Sequence, residues 1–318
     1  MRLRRRSKII QYEAFVPLYL TNMCDSQCMI CNMRKQNKKL ERIQADKNKI
    51  REQLKIIYNI EKISAVCILT GEYSGAIKRK NNIHLVIWSI KQAFEIGFKK
   101  VLFNIGSLYD DEIQLFSENF HNEDRIVLSL FQETYDKACY ERYFGKYDIS
   151  NPKSDFDRRL TTPERFLKAG FKQVDIGILI GLNNINDEME QFSKHIKKLV
   201  NMAQMVYISL PRICGVDNLK NAVSDEKYIE IVKQIAEYDE KLKIIVTTRE
   251  SLDMISNLLP YIKVISPGCS DVLPYTAEGK IRNDIKTSQF QVKPVRDRPS
   301  EILNALTVKN NIHYFNCS

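Results

Sequence analysis

Eight short runs of apolar and β-branched residues recur along the chain, separated by stretches with helical character, and this alternation constrains the fold more than any other feature. The runs are Phe15–Leu20, Val66–Thr70, Lys100–Ile105, Ile126–Phe131, Gln173–Ile180, Met205–Leu210, Leu242–Thr247 and Tyr261–Ser266, and they read as strands. The clearest helix is Ser224–Tyr238, with Ser224 as N-cap, Asp225 and Glu226 in the first turn, and Tyr228, Ile231, Val232 and Ile235 on one face. Another spans roughly 46–59 along Ile50, Leu54 and Ile57. Strands alternating with helices give right-handed βαβ units and a parallel sheet. Eight repeats predict an α/β fold, a (β/α)8 TIM-type barrel, closed or partly open, with an open doubly wound sheet as the alternative.

No low-complexity linker divides the chain, so residues 1–318 are expected to form a single barrel domain with a short basic N-terminal segment and a C-terminal tail. The stretch from Tyr275 to Arg298 is rich in charge and poor in pattern, and reads as a long connection before a last helix near Ser300–Leu306.

With 44% hydrophobic and 28% charged residues, the 318-residue chain can bury a large core. No apolar run reaches the roughly 18 residues of a membrane span, and the first residues lack a signal-peptide core, so a cytoplasmic location is expected. The net charge of +10 comes from lysines spread over helical stretches. Without basic and aromatic residues gathered on one face, nucleic acid is not the expected partner. The cluster Arg2, Arg4, Arg5 and Arg6 is assigned no function.

Of the eight cysteines, Cys24, Cys28 and Cys31 form a C-x3-C-x2-C motif directly after the first strand. A disulfide framework does not suit a long chain without an export signal. Structural zinc normally takes four ligands, and no fourth Cys or His lies nearby. Three thiolates can instead hold three irons of a four-iron four-sulfur cluster, leaving the fourth iron open. Cys67 and Cys139 fall in apolar strand and helix patterns and read as core. Cys214 and Cys269 fall in predicted mouth loops, where they are ordinary thiols, a hydrogen-atom donor or ligands to an extra metal. Cys317 is left open.

Barrel enzymes carry their chemistry on the loops after the C-terminal strand ends. The unusual residues fall there: the cysteine trio, Gly71-Glu72, Gln132-Glu133-Thr134-Tyr135, Gly181-Leu182-Asn183-Asn184, Pro211-Arg212, Arg249-Glu250 and Pro267-Gly268-Cys269-Ser270.

The cysteine spacing resembles the signature of the radical S-adenosylmethionine (SAM) superfamily, although Ile30 stands before the third cysteine where an aromatic is frequent. The ordered motifs Gln132–Tyr135, Pro152–Leu160, Ala169–Phe171, Ile176–Leu182, Ser209–Arg212, Thr247–Glu250 and Ile265–Ser270 are similar to those of its aromatic amino-acid lyases, from about residue 15 to about 305. That branch includes the tyrosine lyases of thiamine biosynthesis and hydrogenase maturation and the tryptophan lyase of thiopeptide biosynthesis.

The resemblance implies a [4Fe-4S] cluster on Cys24, Cys28 and Cys31 and SAM as the second cofactor. Glu72 would hold the SAM ammonium, Glu133 its ribose, and Arg159 its carboxylate, while Gly177 and Gly181 would let adenine and ribose approach the backbone. Arg212 would act at the catalytic centre by clamping the carboxylate of a free amino acid, with Ser266 and Ser270 also contacting substrate. A guanidinium fork suits a carboxylate better than an ammonium does. The implied reaction is cleavage of a bond at the α-carbon of tyrosine or tryptophan, with flavodoxin or ferredoxin as electron donor. Rearrangement or sulfur insertion on a small amino-acid-derived substrate, as in methylornithine synthase or biotin synthase, is the alternative. The sequence departs from the branch at Pro267, where alanine is usual, and at Asn184, which replaces an acid. It also ends at Ser318 without the cysteine-rich extension of the hydrogenase-maturation lyase, so carbon monoxide and cyanide production is not expected.

Overall fold

The computed structural model describes residues 11–213, 220–268, 271–278, 281–282 and 295–315. In chain order the elements begin with β1 (Gln11–Ala14), β2 (Val16–Tyr19), α1 (Lys47–Asn59), β3 (Ala65–Leu69), α2 (Ala76–Ile96), β4 (Lys100–Asn104), α3 (Asp110–Asn119), β5 (Ile126–Ser129) and α4 (Lys137–Phe144). They continue through α5 (Phe156–Lys168), β6 (Gln173–Gly177), α6 (Ile185–Val200), β7 (Met205–Ser209), α7 (Asp225–Ala236), β8 (Leu242–Thr247), α8 (Leu252–Leu258) and β9 (Val264–Ser266). A two-stranded ribbon of β10 (Ile281–Arg282) and β11 (Val295–Arg296), then α9 (Pro299–Asn310) and β12 (His313–Phe315), complete the described chain.

Nine parallel strands, β1 to β9, curl into a nearly closed barrel with helices outside, and β12 adds to β1. All eight expected strands are present. The departure is in the first, which starts earlier, at Gln11, and splits at Phe15 into β1, paired with β9, and β2, paired with β3. Pro17 explains the split. The amides of Glu13 and Phe15 donate to the carbonyls of Lys263 and Ile265, and the next donor in that series would be Pro17, which has none. The sheet opens there, and the Tyr275 hydroxyl donates to the exposed Pro17 carbonyl at 2.6 Å.

Local signals set the helices. Asp46 caps α1 by accepting from the Lys49 amide at 2.9 Å, and Ser224 caps α7 through the Lys227 amide at 3.2 Å. Their apolar stripes, Ile50, Leu54 and Ile57 on α1 and Tyr228, Ile231 and Ile235 on α7, join the large core between sheet and helices. No helix of the described residues is long and apolar enough to cross a membrane.

A smaller core fills the barrel itself, with Phe15, Ala65, Leu102, Val127, Ile245 and Val264 among its members. Below it Glu13 pairs with Lys100 at 3.0 Å and with Lys243, and the Tyr207 hydroxyl reaches the same carboxylate at 3.2 Å. The N-terminal end is thereby plugged, and the cavity opens at the other.

Candidate active site

A cavity of about 320 Å³ occupies the C-terminal half of the barrel. Cys24, Cys28 and Cys31 all line it, brought there by the loop that follows β2. Arg42 pins that loop from behind, donating to the carbonyls of Asn22, Met33 and Arg34 at 2.6, 2.8 and 2.8 Å. On the barrel side the loop lies so close to the end of β3 that a Cβ on Gly71 would stand 1.9 Å from the Met23 carbonyl oxygen and 2.8 Å from the Cys24 Cβ. Only glycine admits this approach. The Cys24 sulfur in turn accepts from the amides of Ser26 and Glu72, each at 3.4 Å.

The three sulfurs suit a cluster better than a single ion. Among the described residues no group of three His, Cys, Asp or Glu side chains converges on one metal position, yet all three cysteines border one cavity. Three thiols that border one cavity fit a polynuclear centre, in which each sulfur holds a different iron. The buried Ser26 hydroxyl, without a hydrogen-bond partner among the described residues, borders the same space. Burial pushes the Cys24 thiol up to about 11, with the Glu72 carboxylate adding to the effect, and pushes Cys28 well above its ordinary value. Metal ligation is the ordinary means of holding such sulfurs as thiolates.

Beside the cysteines lies a chain of four charges. Arg159, reaching in from α5, donates to Glu72 at 2.9 Å and to the Phe131 carbonyl at 2.6 Å, and comes within 3.7 Å of Glu133. Lys153 donates to Glu133 at 2.7 Å. Burial opposes the charge on Glu72, but Arg159 and Lys153 hold its carboxyl below the usual range. Glu133 has φ +71°, a left-handed conformation that costs a side-chain-bearing residue about 1–2 kcal/mol. Strain of this kind concentrates at functional sites. Glu72, Glu133 and Arg159 therefore lie together, and Lys153 joins them. Its position within the quoted Pro152–Leu160 motif was the available signal.

The two glycines stand differently. Neither Gly177 nor Gly181 borders the cavity. A Cβ on Gly177 would meet the Ser209 carbonyl oxygen at 2.3 Å and the Phe131 ring at 3.0 Å, so its smallness serves strand packing, while Gly181 turns the chain at φ +108°.

Ser266, at the end of β9, borders the cavity. Arg212 does not. Its neighbours Pro211 and Ile213 face inward, and the two-residue alternation turns Arg212 outward into an adjoining space shared with Val223 and Asp225. There Glu250 takes both its Nε, at 3.0 Å, and its Nη2, Asp225 takes Nη1 at 2.7 Å, and the Tyr228 ring lies 4.5 Å away. Arg249 borders both spaces, and its guanidinium has no hydrogen-bond or ion-pair partner among the described residues. Thr247, Thr248 and Glu250 border the cavity as well, so no local pattern singles Arg249 out; what distinguishes it is its guanidinium, unpaired among the described residues. Cys67 is buried and faces the barrel interior, while Cys139 is buried on α4. Ser270, Cys214, Cys269, Cys317 and the arginines at 2–6 lie outside the described residues.

No family model matches the chain. It is 26% identical to the 2-iminoacetate synthase of Salmonella typhimurium over 174 residues, which are 54% of this chain and 41% of that protein. The match thus spans less than half the length of this curated relative. The structure superposes on HydG, a maturase of the [FeFe]-hydrogenase, with a TM-score of 0.81 at 24% identity, over 97% of this chain and 66% of that one. Methylornithine synthase follows at 0.70 and 17%, over 96% and 84%. The chain is thus a homologue of 2-iminoacetate synthase over half its length and shares its barrel with HydG and methylornithine synthase.

Proposed function

We propose that this protein is a radical SAM carbon–carbon lyase acting on a free aromatic amino acid, tyrosine or tryptophan. The observation that carries the reading is the convergence of Cys24, Cys28 and Cys31, with the charged chain Glu72, Arg159, Glu133 and Lys153, on one closed-bottomed barrel cavity. A four-iron four-sulfur cluster bearing SAM supplies, when bound, one-electron cleavage of SAM and a carbon radical able to take a hydrogen atom from the substrate.

The protein's own residues bind, orient and exclude water. In this reading the two cations and two carboxylates, which pair with one another here, exchange those partners for the carboxylate, ammonium and ribose of SAM. The plugged lower end and apolar inner layer keep water from a reactive intermediate. Arg249, lacking an anionic partner among the described residues, takes the substrate carboxylate beside Ser266. Arg212, saturated by Glu250 and Asp225, holds the two rim loops together. An acidic flavodoxin or ferredoxin supplies the electron to this basic chain.

The test is to reconstitute the protein anaerobically, reduce it, and incubate it with SAM and each aromatic amino acid, identifying products by mass spectrometry. The expected result is 5′-deoxyadenosine together with two fragments of one amino acid. Zinc with four protein ligands, or SAM cleavage with every amino acid recovered intact or merely rearranged, would overturn the reading.

A further inference from the structure

One charged side chain bordering the cavity has no place in the scheme above. Asp175 lies in the middle of β6, faces into the barrel and is 2% exposed. Its Oδ1 accepts from the Ser209 hydroxyl of β7 at 2.9 Å, and its Oδ2 accepts from the Ser129 hydroxyl of β5 at 2.6 Å. Three adjacent strands therefore present one continuous polar strip to the cavity, beside an apolar inner layer that includes Phe15, Leu102, Val127 and Ile245.

The strip costs the fold stability. A carboxyl buried without a cation is expensive, and no ion pair reaches Asp175 among the described residues; burial pushes it up to about 7 despite the two hydroxyls. Those hydroxyls occupy one lone pair on each oxygen, and a carboxylate has about four such sites. Since Asp175, Ser129 and Ser209 all border the void, the remaining acceptor capacity is open to whatever fills it. The strip also lies deeper in the barrel than Arg249, which follows the end of β8, whereas Asp175 precedes the end of β6 by two residues.

We propose that Ser129, Asp175 and Ser209 form a recognition site for a hydrogen-bond donor at the distal end of the substrate side chain. This rests on the reading of the protein as an enzyme of free amino acids whose carboxylate is held at the rim. The matching chemistry is a side chain ending in O–H or N–H, such as a phenol or an amide. A side chain of similar shape without the donor leaves the buried carboxyl unmatched, the arrangement from which enzymes obtain their sharpest discrimination.

Equilibrium binding to the cluster-loaded protein in the presence of SAM, followed by calorimetry, tests this with two shape-matched pairs: tyrosine against phenylalanine, and glutamine against methionine. For at least one pair the donor-bearing member should bind about tenfold more tightly or better. Asp175→Val should abolish that preference, mainly by weakening the donor-bearing member, and Asp175→Asn, which retains a carbonyl acceptor, should preserve part of it. Folding of each variant is checked by its cluster content and SAM affinity, which should match the parent. The inference is overturned if neither pair is discriminated, or if Asp175→Val discriminates as the parent does. If only glutamine over methionine is preferred, and the preference is lost in Asp175→Val, the inference stands and the aromatic-lyase reading falls.

Discussion

Arg159 Nη1 donates to Glu72 Oε1 at 2.9 Å, with 2% and 11% of the two side chains exposed, so the pair is largely desolvated although both residues border the cavity. Removing one member of such a pair strands the other, at about 3–5 kcal/mol. Arg159→Met should accordingly destabilise the cluster-free protein by about that much, and Glu72→Gln should recover a large part in the double variant. Denaturant unfolding of the four proteins measures the coupling. Strictly additive losses would show that the two residues are held independently. The pair also sets an acid limit. Because Arg159 and Lys153 outweigh burial and hold Glu72 below its usual 4.5, its stabilisation is complete above that pH and is lost as pH falls through the folded value.

The cysteines divide into ligands and bystanders. Cys28→Ala should abolish cluster assembly, read as iron content and visible absorbance, and with it SAM cleavage. Cys139→Ala, removing a buried thiol of α4, should keep the iron content of the parent. Equal iron in Cys28→Ala and the parent would show that the iron is held elsewhere.

Much of this was legible in the sequence, and the exceptions share a cause. Strands such as Val66–Thr70 announce themselves because both faces are buried and nearly every residue is apolar. Gln11–Ala14 gave no such signal, because Glu13 points into the barrel and pairs there with Lys100 and Lys243, residues about 90 and 230 positions away. The three-residue β12 is too short for any pattern and exists because β1 offers it an edge. Cys24, Glu72 and Glu133 follow strand ends, which the topology brings to one rim, whereas Arg159 lies within α5 and was singled out only by the resemblance of its motif. The direction of Arg212 was set by strand parity, and its saturation by Glu250 and Asp225 is a tertiary fact no local pattern carries. Asp175 was hidden for the opposite reason: inside a strand it looks like a single polar interruption, and only the neighbouring strands supply Ser129 and Ser209.

Arg249 and Arg212 should respond differently to the same conservative change. Lysine keeps the charge but loses the planar fork, so Arg249→Lys should weaken amino-acid binding by about tenfold to a hundredfold while SAM binding is retained. Arg212→Lys should lower thermal stability through its lost two-point contact with Glu250 and alter substrate affinity much less. The reverse pattern of affinities would return the carboxylate to Arg212.

A basic protein reduced by an acidic carrier should show electrostatic steering. With reduced flavodoxin the rate of SAM cleavage should fall as salt is raised from low ionic strength to about 0.15 M, where the screening length shortens to about 8 Å. With dithionite in its place the salt effect should be much smaller. A flavodoxin-driven rate insensitive to salt would argue against charge-guided docking to a chain of net charge +10.

Asp175 makes a prediction about stability that needs no ligand. Its carboxyl is pushed up to about 7 by burial, against an ordinary 3.8, with the Ser129 and Ser209 hydroxyls only partly offsetting the effect. Between those two values the folded protein keeps a proton that the unfolded chain has released. Stability therefore falls as pH rises from about 4 to about 7 and levels off above, where the folded group ionises as well. The Cys67 thiol, which senses the Asp175 charge, is itself pushed well above 9 by burial and stays neutral across this range. Asp175→Asn removes the ionisation and retains an acceptor and a donor for the two hydroxyls. The variant should gain on the parent as pH rises, by on the order of 4 kcal/mol at most at pH 8, with no difference from ionisation left below about pH 4. Unfolding of both proteins at pH 4, 6 and 8 without cofactors measures this directly. A parent whose stability relative to the variant is flat or rising over that interval would mean that the strip is ionised throughout and balanced by a cation.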